Sequence, residues 1–170
     1  VAKQIARLSA AALLALTAFT LIGVAGLPES NIFLDLQQTG ALILAGKTLE
    51  GAPFSLSVWR GTPIILNFWA SWCAPCRDEL PALQALHEAG FRVVGVNVGE
   101  LPQVAATFAA AYGVTFPNLT DADYYWLHVF QVRALPSTLF IAADGTIRER
   151  VSGGMSAREL RAKAESLVKP

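Results

Sequence analysis

Only two cysteines occur in the 170 residues, and they stand two residues apart in the stretch NFWASWCAPCRDEL, residues 67–80. Several chemistries could use such a pair. As a structural staple it would close a loop of two residues, whereas a crosslink stabilises chiefly by restricting a long loop of the unfolded chain. Zinc needs four ligands; there is no second cysteine pair, and His87 and His128 lie far off at no ligand spacing. A c-type haem attachment needs His directly after the second cysteine, where this chain has Arg77. A dithiol that exchanges with other disulfides remains.

A thiolate is the attacking species in such exchange, so the elements around Cys73 decide its competence. PIILNFW, residues 63–69, is a continuous apolar run of the kind buried on both faces of a mixed sheet. Leu80, Leu83 and Leu86 then mark one face of a helix that ends at Ala89-Gly90. Cys73 thus falls at a helix N-terminus, where free N–H groups and the helix dipole favour the thiolate. Cys76, about one turn along, can resolve a mixed disulfide formed on Cys73. Arg77 would also favour a thiolate, although a solvated pair with Asp78 accounts for it equally well.

The remaining elements come in order along the chain. ALILAGKTLEGAPFSLSVWRG, residues 41–61, gives short strand-like runs broken by glycine and proline, as in a hairpin. FRVVGVNV, residues 91–98, is a second buried strand. Pro102 opens a helix carried on by Val104, Phe108 and Tyr112 and closed by Gly113. A short helix is expected between Tyr124 and Val132. STLFIAADGTIRERV forms two strands about the Asp144-Gly145 turn. Ser156 and Glu159 make a capping box for a last helix lined by Leu160, Ala164 and Leu167. Pro81 falls inside the first helix and is expected to kink it. His87, near a helix C-terminus, reads as a surface charge partner, and His128 as a packing or surface residue. This alternating order, with 54% apolar residues, fits one α/β core.

Residues 8–27, LSAAALLALTAFTLIGVAGL, carry no charge and come after Lys3 and Arg7. At ~1.5 Å per residue a helix of twenty residues reaches ~30 Å, enough to cross a bilayer. Positive charge on its N-terminal flank keeps that flank cytoplasmic and exports the rest of the chain. Both an uncleaved anchor and a removed signal peptide fit, the latter ending at the small residues of GVA, 23–25. Residues 1–27 are therefore expected to be a signal-anchor segment, 28–40 a linker, and 41–170 one folded domain on the outer face of the cytoplasmic membrane, or secreted if the segment is cleaved. Disulfides of partner proteins persist in that compartment. With 13 basic and 13 acidic residues and no basic stripe, nucleic acid is excluded as a partner.

NFWASWCAPC, the ALPST of 134–138 and the strand order resemble the thioredoxin fold over roughly residues 41–168. VNVGE, residues 96–100, makes the chain similar within it to the membrane-anchored TlpA/ResA/CcmG group, and to its ResA-like branch. The resemblance implies an α/β thioredoxin fold with an N-terminal β-hairpin addition, Cys73 as attacking thiol and Cys76 as resolving thiol. It implies a cis bond before Pro136, with the backbone of Leu135 free to pair with an incoming peptide; the plainer alternative is a strand-edge proline. Trp72, just before Cys73, would wall the substrate groove or else join the core. Thioredoxins usually carry a buried Asp where this chain has Asn67, which cannot exchange a proton. The resemblance offers Glu100 as the substitute acid/base for Cys76, against the alternative of a solvated strand-end residue. The group further implies a reductant in cytochrome c maturation, with apocytochrome c as client and an integral membrane thiol carrier of the CcdA/DsbD type as electron donor. No cofactor beyond the dithiol is expected, and the chain is expected to act as a monomer. Rival readings are a general disulfide oxidant or reductase, or a Cu(I) metallochaperone using the same thiolates, although Met155 is the only methionine.

Overall fold

The computed structural model describes residues 44–169. The apolar segment at 8–27 and the linker at 28–40 lie outside them. Among the described residues no helix is long and apolar enough to cross a membrane.

Short strands β1 (Ala45–Lys47) and β2 (Pro53–Ser55) pair antiparallel, and a 3-10 turn at Leu56–Trp59 leads to β3 (Ile64–Trp69). Every residue of β3 is buried, Asn67 included, as its otherwise apolar sequence requires at the centre of a sheet. Helix α1 (Ala74–Glu88) crosses to β4 (Arg92–Val98), and α2 (Pro102–Ala111) crosses to β5 (Asn118–Asp121). Both crossovers join parallel neighbours, which a tight turn cannot do. After the short helix α3 (Tyr125–Val129), β6 (Ser137–Ile141) and β7 (Ile147–Ser152) add to the other side of β3 as an antiparallel hairpin. Helix α4 (Ala157–Leu167) closes the described chain, its capping box formed by Ser156 and Glu159. The five-stranded order is β5-β4-β3-β6-β7.

Period-two alternation divides the core between the two faces of this sheet. Ile65, Trp69 and Val93 face α1, α2 and α4 through Leu80, Leu83, Ala105, Ala109 and Leu160. Leu66, Phe68, Val94, Val96 and Leu139 face the other way, where Leu44, Leu56, Phe130 and Val132 cover them. Gly95 permits one close approach across the sheet. A Cβ there would fall 1.8 Å from Asn118 Oδ1, the oxygen that accepts the Trp69 indole N–H at 2.8 Å.

Three details differ from the sequence reading. Strand β5 has no sequence signal: NLTD is short, without alternation, and rich in residues that strands disfavour, so only its pairing with β4 makes it a strand. The buried face of α2 is Ala105 and Ala109, whereas Val104 and Tyr112 are exposed. Phe108 is only partly buried, its ring 6.0 Å from that of Trp69 on β3. His87 is half-buried, its ring edge-on to Phe116, and forms no salt bridge among the described residues.

Candidate active site

The sheet delivers Cys73 to the surface. At the end of β3 the chain turns through Ala70, Ser71 and Trp72, and Cys73 N–H donates to Ala70 O at 3.2 Å. Cys73 is the N-cap of α1, with Pro75 in the first turn, a position suited to a residue without an N–H. In place of a capping hydroxyl, the Cys73 sulfur accepts the Cys76 N–H at 3.3 Å. The two sulfurs are joined as a disulfide, Cα atoms 5.3 Å apart. Cys73 retains 6% exposure and Cys76 1%, so an incoming thiol meets Cys73 first. Trp72 beside it is 67% exposed and stands on the surface rather than in the core.

The peptide bond between Leu135 and Pro136 is cis. Pro136 is buried and Leu135 half-buried, and Leu135 packs against the cluster that holds both cysteines. Its N–H and C=O make no backbone hydrogen bond among the described residues, which leaves them available to an extended peptide. Pro136 O accepts the Gly153 N–H at 2.8 Å. The next residue, Gly154, lies against Pro75 of the CAPC turn. Though distant in sequence, the proline strand and the dithiol turn thus share one edge.

A carboxyl group that the sequence reading missed lies behind the dithiol. Glu79, one turn beyond Cys76 on α1, is only 1% exposed. Asn67 Nδ2 donates to its Oε2 at 3.3 Å and to Thr138 Oγ1 at 2.9 Å. Oε1 has no partner among the described residues. Burial outweighs the favourable influence of the Met155 backbone and of the Asn67 amide and pushes the Glu79 pKa up to about 7. Such a group can take up or release a proton near neutrality. Its signal was present in the sequence, since Glu79 interrupts the apolar helix face of Cys76, Leu80 and Leu83.

Glu100 lies against the turn that leads to Cys73. Its carboxylate accepts from Ser71 N at 2.8 Å, from Asn97 Nδ2 at 2.7 Å and from Ser71 Oγ. No hydrogen bond joins it to either sulfur among the described residues. These contacts clamp the bend that presents Trp72 and Cys73. Asn67, expected to be only a missing proton carrier, is the donor that holds Glu79. His128 is exposed. No group of three His, Cys, Asp or Glu residues suited to a metal occurs among the described residues.

The family model described as AhpC/TSA family matches residues 38–150. Over 126 residues the chain is 34% identical to the thiol-disulfide oxidoreductase ResA of Geobacillus thermodenitrificans, covering 72% of each protein. It is 38% identical over 111 residues to the Bacillus subtilis protein of that name, covering 63% of this chain and 62% of the relative. A secreted Mycobacterium tuberculosis disulfide oxidoreductase, described as homologous to E. coli DsbE, superposes with a TM-score of 0.68 at 32% identity, over 73% of this chain and 96% of that one. Fold, dithiol and relatives agree: the chain belongs to the AhpC/TSA family of thioredoxin-like proteins and is a thiol-disulfide oxidoreductase.

Proposed function

We propose that the chain is a reductant of protein disulfides outside the cytoplasm, with apocytochrome c as its client. The observation that carries the direction of attack is the asymmetry of the dithiol, an accessible Cys73 at the helix cap against an enclosed Cys76 backed by a buried carboxyl. In the reduced protein the Cys73 thiolate attacks one sulfur of the client disulfide. A bond forms between Cys73 and that sulfur, the client S–S bond breaks, and the released client thiolate takes a proton. Glu79, as carboxylate, then accepts the Cys76 proton, directly or through one water. The Cys76 thiolate attacks Cys73, the mixed disulfide breaks, and the second client thiolate leaves. Two electrons have passed to the client, and the protein holds the Cys73–Cys76 disulfide. Leu135 and Pro136 seat the client backbone, and Trp72 offers an apolar wall beside the reacting sulfur.

Return to the dithiol needs two electrons from a membrane thiol carrier of the CcdA/DsbD type. The location rests on the apolar residues 8–27 behind Lys3 and Arg7, and a structural relative is described as secreted. We further read the protein as a monomer whose only redox group is the dithiol. The test is trapping with Cys76→Ser in the full chain, which arrests the mixed disulfide on Cys73. Recovery of cytochrome c precursors is expected; a client set without them would overturn the proposed substrate. A reduction potential near about −120 mV, in the range of strong oxidants, would reverse the proposed direction.

A further inference from the structure

Arg148 meets Asp144 at 3.0 Å, Arg161 meets Glu165 at 3.0 Å, and Lys163 bonds Glu149. Arg133 and Arg150 have no carboxylate partner among the described residues. Both are exposed, and both line one cavity of about 260 Å³ whose other walls are Gln131, Val132 and Ser152. No acidic side chain lines it. Arg150 Nη1 donates to Phe130 O, the carbonyl just after α3, which fixes one edge of its guanidinium and leaves Nε and Nη2 without a partner among the described residues. A helix-capping task accounts for that bond, but not for Arg133, whose side chain makes no hydrogen bond among the described residues.

Hydrogen bonds join this cavity to the dithiol edge. Ser137 Oγ donates to Ala134 O at 2.7 Å, and Ser152 Oγ lies 3.3 Å from Ser137 Oγ. The two hydroxyls fasten the loop that carries Arg133 to β7, the strand that carries Arg150. Gly153 N–H donates to Pro136 O at 2.8 Å, and Gly154 lies against Pro75 of the CAPC turn. Arg133 stands two residues before Leu135, a span of at most ~7 Å.

We propose that Arg133 and Arg150 form an anion subsite that receives a carboxylate side chain of the client, an Asp or Glu within a few residues of the cysteine under attack. The inference deepens the proposed function and rests on its reading of the chain as a reductant that seats client backbone on Leu135. A guanidinium offers forked, planar donors that match a carboxylate. Arg150 is already held by Phe130 O, so less of its freedom is lost when the anion arrives. An extended client advances ~3.3 Å per residue, so an acid about two residues from the position paired with Leu135 reaches Arg133. The subsite selects among clients, while the disulfide exchange itself stays at Cys73.

The test uses the reduced full-length chain and three synthetic peptides, each with one internal disulfide and otherwise the same sequence. The first carries glutamate two residues outside each cysteine, the second glutamine there, and the third the same glutamates moved about ten residues away. Stopped-flow rate constants should favour the first over the second by about fivefold, the order of an exposed ion pair, and the third should match the second. Arg133→Gln should bring the ratio of first to second close to one, and Arg133→Glu should invert it. Arg150→Gln, folded by near-UV circular dichroism, should also lower the ratio. Equal wild-type rates, or a ratio unmoved by Arg133→Gln, would overturn the subsite. So would a third peptide as fast as the first, since the preference would then come from the field of the whole protein. Reduction of none of the peptides would instead remove the reductant reading, and the subsite with it.

Discussion

The amide of Asn67 and the carboxyl of Glu79 meet at 3.3 Å beneath the dithiol, one from the central strand and the other from the helix that the cysteines begin. A carboxyl buried against neutral partners holds its proton more tightly than in water.

The elevated pKa of Glu79 makes stability depend on pH. The folded value of about 7 stands above the ordinary 4.5, so between these limits the folded state binds more protons than the unfolded chain. Glu79 therefore contributes a destabilisation that is absent below about pH 4.5, grows as pH rises and is complete above about pH 7. Glu79→Gln should remove this slope and stabilise the protein at pH 8, by a gain on the order of 3 kcal/mol. Urea unfolding of both proteins from pH 4 to 8 measures it, and parallel curves would contradict it.

Asn67→Asp would set a second carboxyl against Glu79. Like charges disfavour ionisation, and the pair should titrate in two steps that belong to both groups. The upper step should lie above the single Glu79 midpoint, and the acid limb of the exchange rate should move upward with it. Stopped-flow reduction of a disulfide substrate across pH reads this directly.

Glu100→Ala should act on stability and presentation of Cys73. The substitution leaves Ser71 and Asn97 without their shared acceptor, at a cost of about 1–3 kcal/mol in a half-buried setting. Denaturation should detect the loss, while the Glu79 midpoint stays in place. Movement of that midpoint in Glu100→Ala would instead return Glu100 to the proton path.

The exposures of the two cysteines predict unequal alkylation. In reduced protein, iodoacetamide should modify Cys73 at least about tenfold faster than Cys76, because reactivity depends on thiolate character and access. Peptide mass mapping after brief exposure distinguishes them. Trp72→Ala, at a position 67% exposed, should leave the melting temperature within about 2 °C and lower kcat/KM for a protein disulfide more than for a small one.

Local spacing was sufficient for the parts of this molecule that act within one turn or one strand. The cysteines come after a mostly apolar strand and flank Pro75, and that order alone sets Cys73 at a helix N-terminus where its sulfur can cap. The Ser156–Glu159 box is likewise complete within one turn. What the sequence could not settle was which carboxyl the fold would enclose. Glu79 and Glu100 are each close in sequence to something reactive, but a proton affinity is set by what covers the group. The surroundings of Glu79 depend on Asn67 from β3 and Thr138 from β6, which meet only once the sheet has assembled. The same assembly turns NLTD into a strand and spends the Glu100 carboxylate on Ser71. Sequence determined where the thiol would attack; the tertiary structure decided which carboxyl lies buried behind it, because desolvation is a property of the packed neighbours and not of the residue.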